Sequence, residues 1–168
     1  YMVSHQRGLG INYWITTGNE ADISVSEAIQ FLAEDEKVHT IMAYVESVKD
    51  GKMFTKALDT ARQEKKPVIL MKVGRSDVGA AAANSHTASL AGEDAIYSEV
   101  IRAHGAYRVR STEEMLDVAY ATKPRIYPSG KNLGIVTISG GGGVLMADAA
   151  YDEGLNVKPM PKEAQQNL

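Results

Sequence analysis

The stretch "DGKMFTKALDTARQEKKPVILMKVG", residues 50–74, decides the fold class. From Lys52 to Lys66, Phe54, Leu58 and Ala61 recur at helical spacing, and cations gather at the far end, where the helix dipole favours them. Pro67 cannot continue a helix, and the run "VILMKVG" (68–74) that follows is apolar and β-branched, as a strand is.

Working outward, the same alternation repeats. "SVSEAIQFLAED" (24–35) has Ser24 or Ser26 as N-cap and Ala28, Ile29, Leu32 and Ala33 at helical spacing. "VHTIMAYVES" (38–47) reads as a buried strand leading to the turn signal Asp50-Gly51, and "INYWITTG" (11–18) as a strand ending in a glycine turn. Downstream, "EDAIYSEVIRAHG" (93–105) is a helix with acids at its start and glycine at its end. "AYRVR" (106–110) is a short strand, and "STEEMLDVAYAT" (111–122) opens with a capping-box pattern from Ser111 to Glu114. Strands alternating with single helices predict an α/β fold of flavodoxin-like type, a parallel sheet sandwiched by helices.

"KPRIYPSGKN" (123–132), with two prolines and a glycine, reads as a linker. A second similar unit then begins: strand "LGIVTIS" (133–139), turn "GGGG" (140–143), helix "VLMADAAYDEG" (144–154) and strand "LNVKP". One βαβ unit cannot close a core alone. The expected organisation is a domain over 1–122 lacking its first strand, a linker over 123–132 and an incomplete second domain over 133–168. "MVSHQRGLG" resembles a helix end capped at Gly8 or Gly10, so a fragment of a larger protein is expected.

Composition narrows the function. The chain has 168 residues, 44% of them hydrophobic, enough for a real core, and no apolar run approaches a membrane span. A net charge of −3 argues against general nucleic-acid binding, and the clusters "RQEKK" and "VKDGK" read as solvated helix ends and turns. The absence of cysteine excludes disulfides and thiolate metal sites and fits a cytoplasmic protein. No secretion signal opens the sequence.

Chemistry concentrates around "NSHTASLAGED" (84–94), where His86 stands among small residues. An imidazole nitrogen is a good nucleophile near neutral pH when its ring is oriented and its proton has a taker. A carboxylate on the other ring nitrogen does both. Glu46, ending the strand "IMAYVE", is the best candidate, because ligands and catalytic groups gather beyond the carboxyl ends of parallel strands. The plain alternative for Glu46 is a surface acid at a strand terminus.

Gly140, Gly141, Gly142 and Gly143 sit between a strand and a helix, where free N–H groups and the helix dipole favour an anion. The spacing is neither G-x-G-x-x-G nor a P-loop, so the run is a phosphate seat at most. Lys72 and Arg75 flank Gly74 and are candidates for attracting phosphate, or ordinary strand-end cations. His5, His39 and His104 read as packing or capping residues. No histidine–carboxylate pair has metal-ligand spacing, so no protein-held metal is expected, and Trp14 and the tyrosines form no stacking platform.

The segments "TTGNEADISVSEAIQFLAEDEKVHTIMAYVESVKDGKMF", "KPVILMKVGRS" and "AAANSHTASLAGEDAIYSEVIRAHGAYRVRSTEEMLDVA" resemble the CoA-ligase region of nucleoside-diphosphate-forming acyl-CoA synthetases. These are relatives of succinyl-CoA synthetase and include ADP-forming acetate–CoA ligases. The most specific part, "SHTASLAGED", is close to the family's Ser-His-Thr-Gly-Ala/Ser-Leu-Ala-Gly pattern, with Ala88 in place of the usual glycine.

The resemblance implies that His86 is phosphorylated during turnover, that Glu46 orients and stabilises it, and that "SGGGGVL" opens a helix that holds its phosphate. It implies CoA and ATP or ADP with Mg2+, bound mainly by a CoA-binding domain and an ATP-grasp domain on the same or a partner chain. A carboxylic acid or acyl phosphate is the implied substrate. The isolated fragment is then expected to be inactive. A homo-oligomer is an open alternative, and neither nucleic acid nor membrane is expected as a partner.

In that scheme the alanine-rich "VGAAAANSHTAS" run suits travel between two sites, the alternative being the start of a long helix. Two other functions compete. One is a ligand-sensing body fused to an acetyltransferase, disfavoured by retention of both His86 and Glu46. The other is a non-catalytic flavodoxin-like binding or receiver module, which lacks the paired acids a receiver needs.

Overall fold

The structure is a computed structural model and describes residues 4, 6–75 and 94–165. The chain divides into two compact units, Tyr1–Arg125 and Ile126–Leu168.

The first unit is built on a three-stranded sheet, β1 (Ile41–Val45), β2 (Val68–Lys72) and β3 (Tyr107–Val109), in that spatial order. All pairings are parallel, with Ile41 opposite Val68 and Leu70 opposite Arg108. Helices α1 (Val25–Glu34), α2 (Gly51–Gln63), α3 (Asp94–Ala103) and α4 (Thr112–Thr122) complete it.

Side-chain alternation along β2 places a core on each face of the sheet. Val68 and Leu70 join Ile29 of α1, Phe54 and Leu58 of α2, and Ile101 of α3. Ile69 and Met71 point the other way, onto Met115 and Ala119 of α4. All five residues of β2 are buried, which is why this central strand reads as an unbroken apolar run.

The helix ends follow from local chemistry. Ser24, not Ser26, caps α1: its hydroxyl accepts from Glu27 N while the Glu27 carboxylate accepts from Ser24 N at 2.8 Å, a full capping box. Ser111 Oγ accepts from Glu114 N at 3.1 Å, but the Glu114 carboxylate reaches Arg110 N rather than Ser111 N. Asp50 caps α2 by accepting from Lys52 N and Met53 N, so the Asp50-Gly51 signal is a helix start. Near the amino end, Leu9 N donates to Ser4 O at 2.9 Å around Gly8, whose φ is +70°, which makes Gly8 the helix cap.

Residues 11–18 are not a strand. Its aromatic and β-branched residues find side-chain partners instead of a ladder. Tyr13 packs edge-on to Phe31 at 5.7 Å and its hydroxyl donates to Asp35, while Asn12 Nδ2 donates to Lys37 O at 2.8 Å. Trp14 is 68% exposed, so no sheet face covers this segment.

The second unit is a small βαβ arrangement. Strands β4 (Asn132–Leu133) and β5 (Asn156–Val157) pair in parallel over two residues each, far shorter than the strand expected over 133–139. Helix α5 (Gly140–Asp152) begins within the glycine run rather than after it. Ser139 is its N-cap, with Oγ accepting from Gly142 N at 3.2 Å and the carbonyl accepting from Gly143 N at 3.0 Å. The expected turn over 140–143 is therefore the first turn of the helix, because the serine cap outweighs the poor helix propensity of glycine. A four-residue helix, α6 (Lys162–Gln165), follows.

Candidate functional site at the carboxyl edge of the sheet

The carboxyl ends of the three parallel strands bring together residues far apart in sequence. Glu46 directly follows β1, and Val73 N donates to Val45 O at 3.0 Å, so the ladder continues to the level of Glu46. Glu46 Oε2 is buried and has no hydrogen-bond partner among the described residues. A buried carboxylate oxygen without a hydrogen bond carries a desolvation cost of roughly 1–3 kcal/mol, so a donor placed against it would be stabilising.

Behind Glu46, the loop is fixed by two contacts. Tyr97 of α3 accepts from Val48 N through its hydroxyl at 3.2 Å. Lys49 Nζ donates to Asn19 O at 2.6 Å and Glu20 O at 3.0 Å. Glu20 itself has a left-handed φ of +54°, accepts from Val25 N at 3.2 Å through Oε1, and keeps Oε2 buried without a partner among the described residues. It is a second acid at this edge that sequence reading missed, because the strain and burial that mark it come from tertiary placement.

Lys72, expected among strand-end cations, points inward. It is 3% exposed, its ammonium donates to Val73 O and lies 4.7 Å from the centre of the Tyr97 ring. Burial pushes its pKa below the ordinary lysine value, and Arg108 adds to that, while Asp94 and Glu46 pull the other way. Arg75 lies exposed beyond Gly74, whose φ is +69°.

On β3, Arg108 shares the Lys72 face and binds the first turns of α3. Its guanidinium donates to the Asp94 carboxylate, to Ser98 Oγ, and to Asp94 O at 3.2 Å. These hydrogen bonds hold the Asp94 carboxyl below the usual carboxylate range, with the charges of Arg108, Lys72 and Arg75 adding to the effect. A charged residue inside the short strand "YRV" was the available sequence signal for this anchor.

His86 and His5 lie outside the described residues. His104 Nδ1 is 2.9 Å from Asp59 Oδ1 at the far end of α3, a packing contact away from the carboxyl edge, and His39 is exposed before β1. Gly140–Gly143 lie in the second unit, and the Gly140 and Gly141 N–H groups donate to no acceptor among the described residues. No group of three or more potential metal ligands occurs among the described residues, and no described helix is long and apolar enough to cross a membrane.

The profile of the succinyl-CoA ligase-like flavodoxin domain matches residues 2–122. This chain belongs to that family. Its flavodoxin-like parallel sheet is shared with solved relatives. The apo form of the dinucleotide-forming acetyl-coenzyme A synthetase 1 of Ca. Korarchaeum cryptofilum superposes with a TM-score of 0.87 at 30% identity, covering 98% of this chain and 36% of that one. The same enzyme in complex with phosphate and ADP gives a TM-score of 0.81 at 33% identity, over 90% of this chain and 33% of that one.

Among relatives known by sequence, the alpha subunit of ADP-forming acetate–CoA ligase I from Pyrococcus furiosus is 40% identical over 151 residues, 89% of this chain and 32% of its own length. The ADP-forming acetate–CoA ligase of Methanocaldococcus jannaschii is 36% identical over 162 residues, 95% of this chain and 22% of its own. The chain thus spans between 22% and 36% of the length of these family members.

Proposed function

We propose that this chain is the histidine-bearing CoA-ligase portion of an ADP-forming acyl-CoA synthetase, with residues 1–122 as the ligase domain, 123–132 as a linker and 133–168 as the opening of the next domain. The observation that best supports the reading is Glu46, whose buried Oε2 has no partner among the described residues and lies at the carboxyl edge of a sheet of this family. An oxygen so placed suits the second N–H of an imidazole, and His86 stands within the family's most specific motif in this sequence.

In the acid-forming direction, phosphate attacks the thioester carbonyl, the C–S bond breaks, and CoA leaves as its thiol after taking a proton. The His86 nitrogen then attacks phosphorus, the acyl O–P bond breaks, and the carboxylate departs with the bonding pair. Glu46 accepts the hydrogen bond of the other ring nitrogen, which fixes the tautomer and offsets the positive charge that develops on the ring. The β-phosphate oxygen of ADP next attacks phosphorus, the N–P bond breaks, and ATP and free His86 result. Mg2+ accompanies the nucleotide, held by parts of the enzyme beyond this chain.

In its own unit, the first turn of α5 offers amides to a phosphate through Gly140 and Gly141, since Ser139 already takes Gly142 and Gly143. CoA-binding and ATP-grasp domains, fused or on a partner chain, supply the substrate pockets of this cytoplasmic enzyme.

The test is phosphoryl labelling. With labelled ATP and Mg2+, the full-length enzyme should acquire acid-labile, base-stable label that is absent in His86→Ala and reduced at least about ten-fold in Glu46→Gln, the loss of one charge-assisted hydrogen bond. Equal labelling of His86→Ala removes that residue from the mechanism, and unchanged rates in Glu46→Gln remove the acid.

A further inference from the structure

A cleft of about 370 Å³ opens beside β3, and among the described residues four arginines, Arg75, Arg102, Arg108 and Arg110, line it against one carboxylate, that of Asp94. That balance runs against the chain as a whole, whose net charge is −3. The four are not equivalent. Arg108 is locked by Asp94 and Ser98 and forms a fixed wall, with Lys72 buried on the same face of the sheet. Arg102 is paired with Glu99. Arg75 and Arg110 have exposed side chains and no ion pair among the described residues.

Both of these unpaired arginines follow carboxyl ends of strands, Arg75 after β2 and Arg110 after β3, the edge where parallel sheets take ligands. The volume falls in the range of small-molecule sites, and a guanidinium fork matches the oxygens of a phosphate group. Asp94 does not spoil the site for an anion. Arg108 neutralises it, and the Arg75 charge reaches it too.

We propose that the cleft beside β3 is a phosphate-binding site in which Arg75 and Arg110 supply the two open forks. The ligand is a phosphate dianion, either inorganic phosphate or the terminal phosphate of a small monoester. The assignment does not rest on the histidine relay, because phosphate binding can be read without turnover.

The experiment is a titration of the full chain with inorganic phosphate and, in a parallel arm, with phenyl phosphate, followed by calorimetry and 31P line width at low ionic strength. Saturable binding is expected, and the tighter ligand of the two identifies the source. Arg75→Gln with Arg110→Gln should weaken it by roughly ten-fold or more, from the loss of charge-assisted hydrogen bonds. Lys37→Gln with Lys56→Gln removes the same charge from exposed positions outside the cleft and should change affinity less than about two-fold, as screened charges do. Absence of saturation in both arms, or an equal loss in the lysine pair, overturns the assignment.

Discussion

The two units obey the same local rules and reach different ends. In the first, β2 is flanked by a strand on each side and by helices on both faces, and all five of its residues are buried. In the second, β4 and β5 pair through Asn132–Asn156 and Leu133–Val157, every one of these residues exposed. Val136 is 83% exposed and Leu145 72% exposed, and α5 buries Ala150 alone among its described residues. Caps and helix periodicity operate in both units, but strand length follows from how many faces and edges are covered. Helices form from local chemistry, and sheets from what surrounds them.

The largest effect expected from that contrast is in the core. Leu70→Ala should cost the first unit about 2–5 kcal/mol, since Leu70 is 1% exposed and the surrounding side chains can only partly close the cavity. Ile138→Ala should stay within about 0.5 kcal/mol, as exposed substitutions do, because Ile138 touches no covering layer. Urea unfolding of the two variants, followed by circular dichroism, measures both. Similar costs would mean that the second unit has a buried face after all.

Much of the first unit was legible from residue order, and the reasons are specific. The Ser24–Glu27 box, the proline stop at Pro67 and the apolar run of β2 are local signals that act through neighbours in sequence. The 11–18 segment misled because its β-branched and aromatic residues carry strand propensity, while Tyr13 and Asn12 are held by Asp35 and Lys37 rather than by a ladder. The glycine run misled in the opposite direction, since Ser139 starts a helix that composition alone would delay. At the site, Glu46 was visible from its place after a strand. The inward turn of Lys72, the Arg108–Asp94–Ser98 anchor and the strain at Glu20 join residues many positions apart, so no window of sequence contains them.

The next effect in size tests that non-local anchor. Arg108→Gln should cost about 1–3 kcal/mol at neutral pH, the range for a broken charge-assisted bond, toward the lower end because the Asp94 side chain is 35% exposed. The sign with pH follows from Asp94. Its carboxyl titrates below the ordinary 3.8 when folded, so the stability it lends is present above that value and is lost as pH falls through the depressed one. Unfolding midpoints measured at neutral pH and near pH 3 should therefore differ more for the unsubstituted chain than for Arg108→Gln. A gap between the two proteins that is the same at both pH values would mean that Arg108 acts by packing alone.

The smallest effect inverts the comparison, because the weakly packed unit has the better local cap. Helix α5 ends at Gly154, with φ +67° and Leu155 N donating to Ala150 O at 2.8 Å. Helix α2 closes by the same six-to-one bond, Lys66 N to Ala61 O at 2.8 Å, but around Lys65 at φ +55°. A left-handed conformation costs an L-residue with a Cβ about 1–2 kcal/mol, and glycine avoids that cost while losing more chain entropy on folding. Lys65→Gly should then stabilise the first unit by up to about 1 kcal/mol, and Gly154→Ala should destabilise the second by a similar amount. Thermal unfolding of the first variant and amide exchange at the end of α5 in the second read the two effects. If Lys65→Gly instead lowers stability, the lysine side chain contributes more than its backbone strain removes, and tertiary contacts outweigh local geometry even at an exposed cap.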